Sequence, residues 1–256
     1  MYKTTEIASS EIASDNPVHQ RLLFPYQHVS HLVHGNVLEI GCGTGRGVGV
    51  LADKVSGYTG VDKNTELMES LGQKYPDFTF IDMFLPPLQD LPDNHFDFVI
   101  TFQVIEHIED DNLYVKEIAR VLKPGGKYIV TTPNIKMSIT RNPWHVREYK
   151  VEELKVLLST HFSSVECNGV FGNDKIMTYY NKNKESVRKI TRFDIFNLQW
   201  KLPRWMLQIP YDYLNRRNRK KLLTQNNSLV ADIKMEDYFV AAANDNCFDL
   251  FYVATK

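Results

Sequence analysis

The stretch Val37-Leu38-Glu39-Ile40-Gly41-Cys42-Gly43-Thr44-Gly45-Arg46-Gly47 decides the fold. Val37, Leu38 and Ile40 are β-favouring or apolar, and they lead into four glycines at alternate positions. The pattern predicts a strand that ends at Gly41 and a helix that starts near Gly45. Between them the missing Cβ atoms let the backbone turn tightly and approach a ligand closely. Glu39 interrupts the apolar strand, and a carboxylate there is costly to bury unless something pairs with it. Read alone, the stretch also fits a plain strand-to-helix turn. The flanking residues add features of a ligand site.

Upstream, Asn16-Pro17 reads as a helix start, with Asp15 or Asn16 as cap and Pro17 in the first turn. That helix runs to about residue 34 with a kink at Pro25, and residues 1–16 read as a flexible N-terminus. Downstream, residues 48–55 read as a helix and 58–61 as a strand ending at Asp62. Asp62 lies 21 residues after Gly41, close to the distance at which an acid reaches ribose hydroxyls in a nucleotide-binding βαβ unit. A helix over 64–75 and a strand over 78–81 ending at Asp82-Met83 follow. Residues 96–102 (FDFVITF) read as a buried strand, 110–122 as a helix, and 127–132 as a strand after the turn signal Lys123-Pro124-Gly125-Gly126. A helix over 151–161, a strand over 164–170 and a terminal strand over 248–255 complete the pattern. Alternating strands and helices predict an α/β fold, a mainly parallel sheet with helices on both faces.

The 256 residues suffice for one large domain with an insertion. A net charge of −1 gives no global nucleic-acid signal. Three scattered cysteines form neither a disulfide framework nor a zinc pattern, which suits a cytoplasmic protein. The polar N-terminus does not read as a secretory signal, and no run reaches the roughly 18 apolar residues of a membrane span. Between residues 173 and 246 the alternation breaks, which reads as a helical insertion before the last strand. From Lys175 to Lys221 thirteen Lys/Arg face three Asp/Glu, a local balance of +10, so the remainder is near −11. Ile190, Phe193, Phe196 and Trp200 are spaced for one helical face, and Pro203 and Pro210 are expected to break the stretch into short helices.

Together these segments resemble the class I S-adenosylmethionine-dependent methyltransferases. VLEIGCGTG matches the glycine loop of that family, FDFVITFQVIEHI the segment around its fourth strand, and LKPGGKYIVTTPN the turn and strand that follow. Asp62 and Asp82 stand where it has acids at the ends of its second and third strands. The resemblance covers residues 17–171 and resumes at the final strand. It implies a Rossmann-like methyltransferase domain over 17–256, with seven strands, the last antiparallel. The glycine spacing is not that of the dinucleotide fingerprint, and no Lys-Ser/Thr follows to make a phosphate loop. A cofactor with a ribose and an adenine but no phosphate suits such a loop. By resemblance, Gly41 and Gly43 pack against the amino-acid end of S-adenosyl-L-methionine, and Glu39 helps to orient it through water. Asp62 accepts from the ribose hydroxyls, and Asp82 accepts from the adenine amino group while Met83 donates its N–H. Phe102 and Gln103 flank the methionine part, and Cys42, Gly45 and Lys63 complete the cofactor set. Gln20-Arg21 reads either as a closure over the cofactor carboxylate or as a solvated helix face.

Glu106-His107 lies just past the fourth strand, and His145 lies in the loop NPWHVREY after the fifth. Both are placed to meet an acceptor, and histidine suits proton transfer near neutral pH. The same residues with Gln103 resemble the Glu-x-x-Glu-His plus distant His set of the ubiquinone-pathway O-methyltransferases and small-RNA 2′-O-methyltransferases, where a divalent ion such as Mg2+ holds vicinal hydroxyls. Here Gln103 replaces the first acid, so the base or pocket-shaping reading of Glu106, His107 and His145 ranks above the metal reading. The basic aromatic insertion reads as a lid over the acceptor pocket, as a membrane-peripheral surface over 175–221, as an RNA contact or as a solvated hairpin. Nucleic acid ranks low because no RNA-binding motif is present. The expected activity is methyl transfer to oxygen, ahead of nitrogen or carbon, of a small-molecule or lipid-linked acceptor. A non-catalytic nucleotide-binding or scaffold protein and an RNA 2′-O-methyltransferase stand as alternatives.

Overall fold

A computed structural model describes Ala8 and residues 11–194 and 196–256. Of the stretch expected to be flexible, residues 1–7, 9 and 10 lie outside the described residues. The rest of it is ordered against the body of the protein. A 3-10 turn at Ala13–Asp15 runs into helix α1 (Asn16–Val29). Asp15 does not cap that helix with its side chain. It is fully buried and accepts hydrogen bonds from Arg216 at 2.6 Å and Arg219 at 3.1 Å. Those two cations hold its carboxyl below the ordinary value against the opposing effect of burial.

The remaining elements follow in the expected order. They are β1 (Asn36–Ile40), α2 (Val48–Leu51), β2 (Gly57–Asp62), α3 (Thr65–Lys74), β3 (Thr79–Asp82), β4 (Phe96–Phe102), α4 (Asp111–Val121), β5 (Leu122–Pro133), α5 (Val151–Ser159) and β6 (Ser164–Gly172). The insertion supplies α6 (Asp174–Thr191), α7 (Leu198–Lys201), α8 (Arg204–Gln225), α9 (Asn227–Asp232) and β7 (Tyr238–Ala242), and β8 (Asp249–Thr255) ends the chain. The sheet has eight strands in the order β3-β2-β1-β4-β5-β8-β6-β7. β1 to β5 pair in parallel, and β8 runs antiparallel to both β5 and β6.

Three expectations need correction. The sheet has eight strands, not seven, because Tyr238–Ala242 inside the insertion pairs antiparallel with β6 along the sheet edge. The Tyr238 hydroxyl fixes that edge by donating to the Pro17 carbonyl at 3.0 Å. Ile190, Phe193, Phe196 and Trp200 do not share a helix, because α6 ends at Thr191 and the chain turns through Asn197, whose φ is +53°. Pro203 precedes α8 as expected, but Pro210 sits inside that 22-residue helix without ending it.

Strand alternation divides the core in two. Leu38, Val99, Val130 and Tyr252 face α4 and α5, joining Tyr114, Val115, Ile118, Leu154 and Leu158. Their neighbours Val37, Phe98, Ile129 and Phe251 face the other way, against Val29 of α1 and Met68 and Leu71 of α3. Each such side chain contributes roughly 1.5–3 kcal/mol on full burial, so the alternation fixes register firmly. β1 lies between β2 and β4, so strand order reverses at its carboxyl end. A crevice opens there in sheets of this type.

Candidate active site

A cleft of about 920 Å3 lies at that reversal point. Its floor is the glycine loop. Gly41 and Cys42 both donate backbone N–H to the Val61 carbonyl, at 2.7 and 3.2 Å, which ties the loop to the end of β2. Gly41, Gly43 and Gly45 all have positive φ, where L side chains are strained. Their surroundings differ. A Cβ at Gly41 would strike Val104, and one at Gly45 would strike Leu71, each at 2.4 Å. A Cβ at Gly43 would meet nothing within 4 Å. Gly41, Cys42 and Gly43 line the cleft, and Gly45 instead lets the loop pack on α3.

Asp62 lines the cleft and braces the loop. Its Oδ2 accepts from the Gly43 N–H at 3.0 Å and its Oδ1 from the Asn64 N–H at 3.1 Å. Lys63, Met83, Phe102 and Gln103 also line the cleft. The Met83 N–H, expected to donate to an adenine, donates here to the Asp62 carbonyl at 3.0 Å. Asp82 lies outside the lining and accepts from the Thr65 hydroxyl at 3.1 Å. Glu39 also lies outside it, buried beneath the loop. Its oxygens accept hydrogen bonds from the Tyr26 and Tyr58 hydroxyls. Burial pushes its carboxyl up to about 7. Glu39 thus supports the loop from below, and Gly47 is needed beside it because a Cβ there would fall 2.0 Å from its Oε2.

Gln103 ends β4 with φ +62°, which turns its side chain toward β5 and β8. Its amide donates to Asp249 Oδ1 at 3.2 Å and to Thr131 Oγ1 at 3.3 Å. Asp249 also takes the Arg21 guanidinium, with Nε at 2.6 Å from Oδ2 and a second contact at Oδ1. Arg21 lines the cleft, but its charge is paired with Asp249. Gln20 bonds Asn16 at 3.0 Å and is not part of the lining.

Another wall is built from the segment after β4 and the loop after β5. The Glu106 carbonyl accepts the Val146 N–H at 2.7 Å, which brings the two together. Glu106 is 1 % exposed and lines the cleft. Its Oε2 accepts from the Thr132 hydroxyl at 2.9 Å, and Oε1 is buried with no hydrogen-bond partner. Burial pushes this carboxyl up to about 7, and the charge of His145 opposes the shift only in part. His107 Nδ1 lies 3.0 Å from the Trp144 carbonyl. A carbonyl only accepts, so Nδ1 carries the proton and Nε2 is the basic nitrogen. His145 Nδ1 lies 2.7 Å from Glu148 Oε1, and its Nε2 lies 2.8 Å from the Asn142 amide. The two imidazoles meet edge to face with centroids 5.0 Å apart. One ligand atom from each of Glu106, His107 and His145 falls within 4.8 Å of the others.

The insertion supplies a further wall of the cleft. Ile176, Tyr179, Asn183 and Val187 of α6 and Tyr211, Leu214 and Asn218 of α8 all line it. Burial pushes the Tyr179 hydroxyl up to about 12, so it remains a neutral donor at pH 7. The residues that sequence reading missed here are Glu148, Asp249 and these lid side chains. Glu148 left one signal, a carboxylate three residues after His145 in the same loop.

Residues 38–130 match the model of a protein family described as a methyltransferase domain. A protein from Mycolicibacterium smegmatis named as a probable S-adenosylmethionine-dependent methyltransferase is 39% identical over 167 residues, covering 62% of this chain and 65% of that protein. A ubiquinone biosynthesis O-methyltransferase from Idiomarina loihiensis is 34% identical over 125 residues, covering 46% of this chain and 50% of that protein. The chain thus spans between half and two thirds of the length of these relatives. Among solved structures, a SAM-dependent methyltransferase from Thermotoga maritima superposes with a TM-score of 0.57 over 93% of this chain and 91% of its own, at 16% identity, a likeness of fold alone. The chain has the Rossmann-like class I methyltransferase fold. Over the matched residues it resembles S-adenosylmethionine-dependent methyltransferases.

Proposed function

We propose that this protein transfers a methyl group from S-adenosylmethionine to an oxygen of a small-molecule or lipid-linked acceptor. One observation carries the reading. A glycine loop braced by Asp62 and a cluster of Glu106, His107 and His145 line the same cleft. S-adenosylmethionine brings a methyl already activated by its sulfonium. The protein then has to align the acceptor, exclude water and take up a proton. Gly41, Gly43 and Asp62 hold the cofactor, with Lys63, Met83, Phe102 and Gln103 along its length. His107 Nε2 receives the acceptor proton, because its other nitrogen is committed to Trp144. His145, with its ring nitrogens engaged by Glu148 and Asn142, is a positioning residue that packs edge to face on the His107 ring and fixes its orientation. Glu106, with a carboxyl near 7 and a buried oxygen lacking a partner, is a second proton carrier on the same wall. The lid keeps water out. Oxygen is favoured over nitrogen by the O-methyltransferase among the relatives and by a wall rich in proton acceptors.

A second reading is favoured by the 4.8 Å convergence of ligand atoms. Glu106, His107 and His145 would hold a divalent ion that draws the acceptor hydroxyl toward the methyl. Gln103 weakens it, since its amide is turned to Asp249 and adds no negative charge. One experiment separates the readings. Labelled S-adenosylmethionine is incubated with hydroxylated aromatic and lipid acceptors, with and without chelator. Transfer that survives chelation supports the proton-transfer reading, transfer that needs added Mg2+ supports the ion, and no transfer to any oxygen acceptor contradicts both.

A further inference from the structure

Thirteen large apolar side chains are exposed among the described residues, and nine of them fall within residues 193–214. That concentration in one segment is not ordinary scatter, and exposed apolar clusters mark interaction surfaces. Trp205, Ile209 and Tyr213 recur every fourth residue on α8 and are 71%, 82% and 66% exposed. Tyr211, Leu214 and Asn218, which line the cleft, stand half a turn away on the same helix. Phe193, Phe196 and Trp200 extend the patch through the preceding turn and α7. The segment is firmly anchored. The Asp194 carboxylate accepts from the Leu198 and Gln199 N–H groups at 2.6 and 3.0 Å, Arg141 donates to the Gln199 carbonyl at 2.9 Å, and Arg204 pairs with Glu109 at 2.6 Å.

Arg188, Lys189 and Arg192 border a shallow recess beside this patch, together with Asn197 and Gln199. Its one carboxylate, Glu185, is paired with Lys189 at 2.8 Å. The excess of +10 over residues 175–221, against about −11 elsewhere, concentrates positive charge on the lid. No helix among the described residues is long and apolar enough to cross a membrane. Aromatic and aliphatic side chains beside Arg and Lys match the headgroup boundary of an anionic bilayer. The aliphatic members, Ile209 and Leu198, would give nucleic acid bases no stacking surface, and a purely apolar protein partner would not call for the excess of positive charge.

We propose that the outer face of the lid docks on the surface of an anionic bilayer. Trp205, Ile209 and Tyr213 enter the headgroup layer, and Arg188, Lys189 and Arg192 meet lipid phosphates. This docking requires no particular acceptor, and it places the bilayer directly behind the helices that line the cleft.

The test is sedimentation of the full chain with vesicles of phosphatidylcholine alone or mixed with phosphatidylglycerol, at low and high salt. Binding to the mixed vesicles alone, reduced by salt, is expected. Trp205→Ser combined with Ile209→Ser should weaken it by about tenfold or more. Replacing Arg188, Lys189 and Arg192 by Gln should weaken it by about fivefold for each charge removed. Both variants alter exposed positions and should keep the native circular dichroism spectrum and the same affinity for S-adenosylhomocysteine. Native protein that ignores mixed vesicles, or variants that bind them equally well, would overturn the proposal. So would a lipid-independent dimer that the Trp205/Ile209 variant abolishes, which would assign the face to a second copy. Lost S-adenosylhomocysteine binding with vesicle binding intact would contradict the methyltransferase reading and leave the docking standing.

Discussion

Glu148 Oε1 lies 2.7 Å from His145 Nδ1, and the two side chains are almost equally enclosed. A second Glu148 oxygen accepts from the Ser138 hydroxyl, so the carboxylate is itself held in place. The ring of His145 therefore has one orientation toward the cleft. Glu148→Gln removes a charge-assisted hydrogen bond, worth about 1.5–3 kcal/mol. Turnover should fall about tenfold or more with cofactor affinity nearly unchanged, and the melting temperature should fall by only several degrees, about 2–4 °C per kcal/mol. Glu148→Asp should recover part of the loss. An unchanged kcat would remove Glu148 from the positioning role.

His107→Ala should lower turnover by a factor on the order of 10² or more, as for a lost general base. His145→Ala should lower it less. Neither should change affinity for S-adenosylhomocysteine by more than about twofold, since both stand on a different wall from the glycine loop. Steady-state kinetics paired with calorimetry checks this. Equal losses in cofactor affinity would place the histidines in the cofactor pocket instead.

The glycines make a contrasting pair. Gly43→Ala costs some backbone strain, about 1–2 kcal/mol for a left-handed residue, but its Cβ meets no protein atom within 4 Å. The variant should fold and lose cofactor binding, because the new methyl occupies ligand space. Gly45→Ala drives a Cβ to 2.4 Å from Leu71 Cδ2. It should lose stability first. Thermal melts alongside S-adenosylhomocysteine titrations separate the two, and the reverse ranking would contradict the assignment of Gly43 to the ligand side.

Glu106 carries a pH signature. Burial raises its carboxyl from an ordinary value of 4.5 to about 7 in the folded protein. The unfolded chain therefore releases this proton first. Stability from the protonated group is intact below about pH 4.5 and is lost as pH rises through 7. At about 1.4 kcal/mol per unit the loss above pH 7 is about 3 kcal/mol. Glu106→Gln should match the native protein near pH 4.5 and exceed it at pH 8, as denaturant titrations at both pH values would show. A variant destabilised equally at both would mean that the buried carboxyl is not carrying the penalty.

Much of this arrangement was legible in the sequence because it is local. Apolar runs ending in glycine or aspartate gave β1 and β2, and the apolar run FDFVITF gave β4, and therefore Gly41, Asp62 and Phe102 at their carboxyl ends. Glu106-His107 was legible as a pair beside that strand end. What escaped depends on distant contacts. Arg21 and Asp249 lie 228 positions apart, and no local pattern pairs them. Glu39 read as a cofactor group by family resemblance, and its partners are two tyrosines supplied by α1 and β2. Asp82 ends its strand as expected, but its side chain turns to Thr65 outside the cleft. β7 was hidden because five residues with mixed burial carry too little alternation to read as a strand.

Asp62 joins the floor of the cleft to the cofactor claim, since it both braces Gly43 and faces the open space. The most direct measurement is calorimetric titration of the native chain and of Asp62→Ala with S-adenosylhomocysteine, with NADH as control. Saturable binding of S-adenosylhomocysteine alone is expected, with a loss of about 1.5–3 kcal/mol in Asp62→Ala, the scale of hydrogen bonds to a charged group. No binding to the native chain, or NADH binding as well, would contradict the cofactor claim.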